Sequence, residues 1–180
     1  MKTLRKFYRN GLLAILFVLL QPTTQAEVDL EYEIKAAYLY KFVQLTEWPT
    51  GSLPPEGQTI TLGVFGKNPF GAALTPLNGK MAKGRTIRVK EVSTLAEAKI
   101  CQIVFIAMSD SAQLSEAMKV LAAANVLTIG ETTGFATSGG LINFIEERNK
   151  IRFEINQVAA RKLGFNISSE LLKIARLVKA

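Results

Sequence analysis

The sequence has 180 residues, with 22 Lys and Arg, 15 Asp and Glu, no histidine and a net charge of +7. Without histidine, Ser-His-Asp and Cys-His nucleophilic sites, His-ligated zinc and the commonest general base are all excluded. The single cysteine, Cys101, can make neither an internal disulfide nor a thiolate metal site, and the length suits one domain with a sizeable core.

Residues 1–26 read as a cleavable secretory leader. A basic start (Lys2, Arg5, Lys6, Arg9) precedes an apolar run, Gly11 to Leu20, too short to span a bilayer. Small residues stand at Thr24 and Ala26, and no cysteine near the cut offers a site for lipid attachment. The mature chain is expected to begin at Glu27 and to work in a periplasm. Removing the leader takes four basic residues and no acidic one, which lowers the net charge from +7 to +3. No basic stripe with interleaved aromatics is present, so nucleic acid is not an expected partner.

Glu31 to Pro49 reads as a helix of four to five turns, stopped by Pro49. Ile34, Ala37, Tyr38, Phe42 and Leu45 share one face at helical spacing. Ala36, Leu39, Tyr40 and Val43 make a second apolar face beside it, with Lys41 set among the aromatics. A helix apolar around most of its circumference buries more than one stripe or turns its second face to another chain. Leu39, Tyr40, Lys41 and Val43 are therefore the candidate partner interface.

Downstream, Thr59 to Gly66 reads as a strand, Pro69 to Leu77 as a short helix, and Arg85 to Val92 as a half-buried strand. Ser93 to Lys99 allows two turns of helix, a short crossover that leaves the pairing there open. Cys101 to Ala107 is a continuous apolar strand of the kind buried on both faces. Asp110 or Ser111 caps a helix reaching about Ala124, and Asn125 to Gly130 is the next strand. Leu141 to Glu146 and Lys150 to Ile155 alternate as a hairpin. Asn156 to Leu163 and Ser168 to Val178 read as two closing helices. The expected fold is α/β: a three-layer αβα sandwich with a mainly parallel sheet, a C-terminal antiparallel hairpin and two C-terminal helices, all in one domain over residues 27–180.

No phosphate-loop or dinucleotide pattern survives inspection; the turn from Gly66 to Gly71 is followed by Ala72 rather than lysine. The carboxylate pairs Glu31/Glu33 and Glu146/Glu147 read as solvated. No catalytic residue, cofactor or metal is expected. On the hairpin, Asn143, Arg152, Glu154 and Asn156 alternate with apolar neighbours and should share the face away from the core, with Arg161 following on the next helix. They form a candidate polar recognition patch, since an arginine fork suits a carboxylate or phosphate partner.

Several segments together resemble the YfiR-like family of periplasmic domains: KAAYLYKFVQLTEWP, VFGKNPFGAAL, CQIVFIA, VLTIGETTGFATSGGLINFIEERNKIRFEIN and AARKLGFNISSELLKIAR. The resemblance runs from about Ile34 to Arg176 and keeps the order of every segment. It implies a non-enzymatic regulator that inhibits a YfiN-type inner-membrane diguanylate cyclase by binding its periplasmic domain, and so controls cyclic-di-GMP signalling and biofilm formation. It also brings in a YfiB-type outer-membrane lipoprotein that sequesters the inhibitor. A homodimer stays open, as does an alternative role as a periplasmic small-molecule-binding sensor domain. Where the family resembles disulfide-bridged, redox-responsive proteins, this chain departs from it, having Cys101 alone.

Overall fold

The computed structural model describes residues 24–179. The expected leader lies outside them except for residues 24–26, which open helix α1 (Thr24–Leu45). The helix does not run on to Pro49. Thr46–Glu47 instead form strand β1, and Ser168 donates its backbone N–H to the carbonyl of Leu45 at 2.9 Å. An orphan carbonyl of the last helical turn thereby finds a partner, and the chain leaves the helix extended.

The other elements are β2 (Thr59–Gly66), a 3-10 helix (Gly71–Leu77), β3 (Met81–Ala82), β4 (Arg85–Val92), α2 (Leu95–Ala98) and β5 (Ile103–Ala107). Then come α3 (Ser111–Ala123), β6 (Leu127–Gly130), β7 (Ile142–Glu147), β8 (Lys150–Asn156), α4 (Gln157–Lys162), β9 (Asn166–Ile167), α5 (Ser169–Ile174) and β10 (Arg176–Val178). The segment from Pro69 was expected to be an ordinary helix; Pro76 inside it and the positive φ of Gly71 leave a 3-10 helix instead.

One sheet of eight strands carries the fold, in the order β10-β8-β7-β6-β5-β2-β4-β3. Strands β4, β2, β5, β6 and β7 are parallel, β7 and β8 form the expected antiparallel hairpin, and β10 joins β8 in parallel. The open pairing resolves simply: β4 and β5 flank β2 on opposite sides, so the short α2 crossover passes over β2. The hairpin turns on Arg148 and Asn149, whose φ of 53° and 57° suit a two-residue primed turn. The small second sheet pairs β1 with β9.

The sheet is covered on both faces, making three layers. Leu39, Phe42 and Val43 of α1, with Phe70, Leu74 and Leu77 around the 3-10 helix, pack on one face against Leu62, Phe105, Ile129 and Phe144. Ala98 of α2 and Leu114, Ala117, Met118 and Leu121 of α3 cover the other, against Val104 and Ile106. Cys101 is buried in this second core. Burial pushes its thiol pKa up, and Sγ lies 3.4 Å from the carbonyl of Glu97. Such a thiol packs as a small hydrophobe.

The last helix was expected to reach Val178, but α5 ends at Ile174, and Ala175 is already extended. Residues 176–178 instead satisfy backbone groups along β8, with Arg176 beside Glu154.

The segment 131–140 closes over the second face through one aromatic ring. Phe135 is fully buried against Gly130 and Gly140; a Cβ on Gly140 would lie 2.1 Å from its ring and one on Gly130 2.6 Å. The ring has glycine on two sides and cannot retreat. Gly140→Ala should therefore destabilise the protein by about 1–3 kcal/mol in urea unfolding, the usual range for overpacking. An unchanged midpoint would mean that the ring is free to move.

Candidate functional site

Beyond Asn143, strand β7 has no neighbour on its β6 side, because β6 ends at Gly130 and the last pairs are Ile129 with Ile142 and Gly130 with Asn143. The chain leaves β6 at Glu131 and loops back through residues 131–140. The result is a notch between the N-terminal half of α1, the 131–134 turn and the open edge of β7, a cavity of about 500 Å³. It lies at the carboxyl end of a parallel strand, where open α/β sheets ordinarily bind ligands.

Lys35 crosses the notch. It projects from α1 with its side chain only 6 % exposed, and its Nζ donates to Glu131 Oε2 at 2.6 Å and also pairs with Glu31, one helical turn earlier. Tyr32 donates its hydroxyl to the other oxygen of Glu131 at 3.2 Å. The ammonium sits 4.4 Å from the ring centroid of Tyr32 and 6.0 Å from that of Phe144. Burial works against its charge, but the hydrogen bonds to Glu131 and Glu31 and the charge of Glu131 outweigh it and raise the pKa above the ordinary 10.5. Burial, then the charge of Glu131, raises the pKa of Tyr32 too, so it stays a donor.

A second network spans the hairpin and β10. Asn143 and Glu154 face one another across β7 and β8, and Asn143 Nδ2 donates to Glu154 Oε2 at 3.1 Å. Arg176 Nε donates to the other oxygen at 3.0 Å, and its Nη2 shares the same acceptor. Asn143 Oδ1 is buried with no hydrogen-bond partner. Turning the amide over would set that oxygen against the carboxylate, so the orientation is fixed by chemistry.

The polar residues read from the hairpin therefore separate. Their alternation placed them correctly on one face, but that face is not free. Asn143, Glu154 and Asn156 are 1 %, 6 % and 0 % exposed, because the 131–140 segment and Arg176 cover them. Asn156 is structural: Nδ2 donates to the carbonyl of Ala136, and Oδ1 caps α4 by accepting from Ala159 N. Arg152 and Arg161 are exposed, Arg152 on β8 and Arg161 on α4, and no hydrogen bond joins either to the network among the described residues.

The expected interface on α1 also needs correction. Leu39 and Val43 are 0 % exposed, packed onto the sheet, so they offer nothing to a partner. Tyr40 is half-buried, donating its hydroxyl to the carbonyl of Met81 at 3.0 Å with Lys80 4.7 Å from its ring. Of that set only Lys41 is exposed. The open apolar strip lies on the other face, at Leu30, Ile34 and Ala37 followed by Lys41. It borders a groove whose far wall is Leu171 and Ile174 of α5. The helix has two apolar faces and both are largely covered: Leu39 and Val43 pack onto the core, while Tyr38 and Phe42 meet Phe144 and Phe153, which leaves Ile34 and Ala37 at the outer margin.

Sequence reading missed Lys35, Tyr32, Glu131 and Arg176 as site residues. The Glu31–Lys35 spacing of one turn was visible, but Glu131 stands 96 residues beyond Lys35 and meets it only through the fold.

A family model described as YfiR/HmsC-like matches residues 32–176. The chain belongs to the YfiR/HmsC-like family. The matched span opens at Tyr32 and closes at Arg176, so both cavity networks fall within it except for Glu31. Curated protein sequences yield no match. Among solved structures, a conserved domain protein from Vibrio cholerae O1 biovar El Tor is 12 % identical, with a TM-score of 0.54 over 82 % of this chain and 60 % of that one. The ABC domain in complex with L-Trp from Streptococcus pneumoniae is 13 % identical, with a TM-score of 0.43 over 66 % of this chain and 55 % of that one. The chain thus spans less than two thirds of either, and the Vibrio likeness is one of fold.

The buried lysine generates a pH test. A lysine whose folded pKa is raised contributes stability fully below its unfolded value and loses it as pH rises through the folded one. Lys35→Met should cost about 1–3 kcal/mol, reduced from a fully buried pair because both glutamates are partly solvated. The difference from wild type should stay flat from about pH 6 to pH 9 and shrink only in stronger alkali. Urea unfolding across that range checks it; a difference that fades near neutrality would contradict the assignment.

Proposed function

We propose that this protein is a non-enzymatic periplasmic regulator of cyclic-di-GMP signalling, which inhibits a membrane-bound diguanylate cyclase of the YfiN type by binding its periplasmic domain. The observation carrying this reading is membership of the YfiR/HmsC-like family across residues 32–176. The family is one of periplasmic regulators, not catalysts. No helix among the described residues is long and apolar enough to cross a membrane. Relief of that inhibition by a YfiB-type outer-membrane lipoprotein that sequesters the inhibitor belongs to the same reading.

The docking face on this reading is the outer strip of α1 with α5. Leu30 is 56 % exposed and Ile34 38 %, while Ile174 and Leu177 are each about half exposed. Lys41 and Glu170 add one charge of each sign at the groove. Exposed apolar residues grouped this way mark interaction surfaces, and charges around an apolar centre set orientation.

Ala37 is exposed at the middle of the strip, so Ala37→Arg should fold normally while setting a charged side chain in the contact. It should weaken co-purification with the cyclase's periplasmic domain by about tenfold or more and raise cellular cyclic-di-GMP. Unchanged binding and unchanged signalling would remove α1 from the interface. The leader belongs to the same proposal: the protein recovered from the periplasm should have the intact mass of residues 27–180, and a mass retaining residues 11–20 would overturn export by cleavage.

A further inference from the structure

The second face of the sheet is roofed only over the carboxyl halves of its strands, where α2 and α3 cover Phe65, Val92, Val104 and Ile106. Toward the amino ends of β2 and β4, the register sets Thr59 beside Thr86 and Thr61 beside Arg88 on that same face, and Met81 of β3 beside Thr86. The three threonines are half-buried, while Met81 and Arg88 are exposed. The charge here is one-sided. Lys83 lies in the two-residue turn from β3 to β4, where φ values of 50° at Lys83 and 71° at Gly84 mark a primed hairpin turn. Arg88 follows on β4, and Lys99 stands just past α2. None of these three side chains makes an ion pair among the described residues, whereas Lys90 is held by Glu97. Against them stands Glu56, beside Gly84; Glu91 is turned to the other face, where it accepts from Asn68.

Two large apolar side chains stand out among these cations. Met81 is 56 % exposed, and Ile100, between α2 and β5, is 69 % exposed, the most of any large hydrophobic residue described. Because β4 and β5 flank β2, the strand spacing sets their backbones only about 10 Å apart. Single apolar side chains interleaved with unpaired cations suit a surface that lies on lipid headgroups. The cations meet phosphate, and the apolar groups reach the acyl boundary. A protein partner calls instead for a contiguous apolar centre, of the kind found at α1 and α5.

We propose that this face docks on an anionic phospholipid bilayer, with Lys83, Arg88 and Lys99 against lipid phosphates and Met81 and Ile100 at the headgroup boundary. Strands β4 and β3 close the opposite end of the sheet from β10, the strand that follows α5, so the bilayer and a protein partner at the α1–α5 groove would not compete for one surface. The contact goes beyond the regulatory reading and needs no cyclase, so either can fail without the other.

The test is sedimentation of the purified exported protein with vesicles of equal parts phosphatidylcholine and phosphatidylglycerol, against vesicles of phosphatidylcholine alone. Binding to the anionic vesicles only is expected, weakening as salt shortens the Debye length below about 8 Å. Neutralising the three cations, by Lys83→Asn, Arg88→Gln and Lys99→Gln, should lower the partition coefficient about tenfold or more, since each basic residue near an anionic surface adds to the attraction. Asparagine accepts the positive φ at position 83, and Arg88 and Lys99 are exposed, so the variant should fold, which far-UV dichroism verifies. Removing three exposed charges elsewhere, by Arg152→Gln, Arg161→Gln and Lys162→Gln, should leave binding nearly unchanged. Met81→Ser with Ile100→Ser should weaken it severalfold. Absence of binding to anionic vesicles, equal binding to neutral ones, or an equal loss in both charge variants would overturn the proposal. Undiminished binding by the serine variant would overturn it too, because a face held by charge alone suits an acidic protein and not a bilayer.

Discussion

A continuous run of aromatic rings beneath α1 holds the two halves of the sheet under one helix. Tyr32 meets Phe70 edge-on at 5.1 Å, and Phe70 meets Phe105 at 4.8 Å. From Phe105 the run reaches Phe144 at 6.5 Å, then Phe42 at 5.7 Å and Phe153 at 5.1 Å from Phe42. It thus links the 3-10 segment, the central strand β5, the helix and the terminal hairpin. Each buried ring contributes large apolar area, and edge contacts of this kind add about 0.5–1.5 kcal/mol beyond that area. Removing any middle member would loosen both the helix and the hairpin.

The placement of α1 on these rings has two consequences at opposite sides of the helix. On one side it carries Lys35 over Phe144 and into reach of Glu131, so that a lysine normally found in solvent becomes a buried tie between helix and loop. On the other it leaves Leu30, Ile34 and Ala37 facing outward beside α5. An exposed apolar strip and a polar cavity therefore sit on opposite sides of one helix. Movement of α1 relative to the hairpin would disturb both, because the Lys35–Glu131 contact and the groove wall at Ile174 lie on either side of it.

Most of the regular architecture was readable before any coordinates. Strands β2 and β4 fall on the expected residues, the hairpin pairs as its alternation required, and the caps at Asp110, Asn156 and Ser168 all accept the backbone bonds their side chains suggested. These features rest on local chemistry: period-two or helical spacing, a turn residue, an oxygen beside an orphan N–H. Helix ends were misplaced where distant strands captured the chain, at Thr46–Glu47 and Arg176–Val178, and the site expectations that failed were about exposure. Asn143 and Glu154 were rightly placed on the face opposite Phe144 and Phe153, yet a distant loop and β10 cover that face.

The sequence by itself determined the α/β alternation, the hairpin, the family and the exclusion of histidine chemistry, because each depends on neighbours in the chain or on composition. Tertiary structure alone decided how much of each apolar face of α1 is covered: Leu39 and Val43 pack onto the core, Tyr38 and Phe42 meet the rings of β7 and β8, and Ile34 and Ala37 stay outward. It also decided that Arg176 is a strand residue beside Glu154 and that Lys35 meets Glu131. Those contacts join residues 22 and 96 positions apart, and no local periodicity reports a pairing made through the sheet.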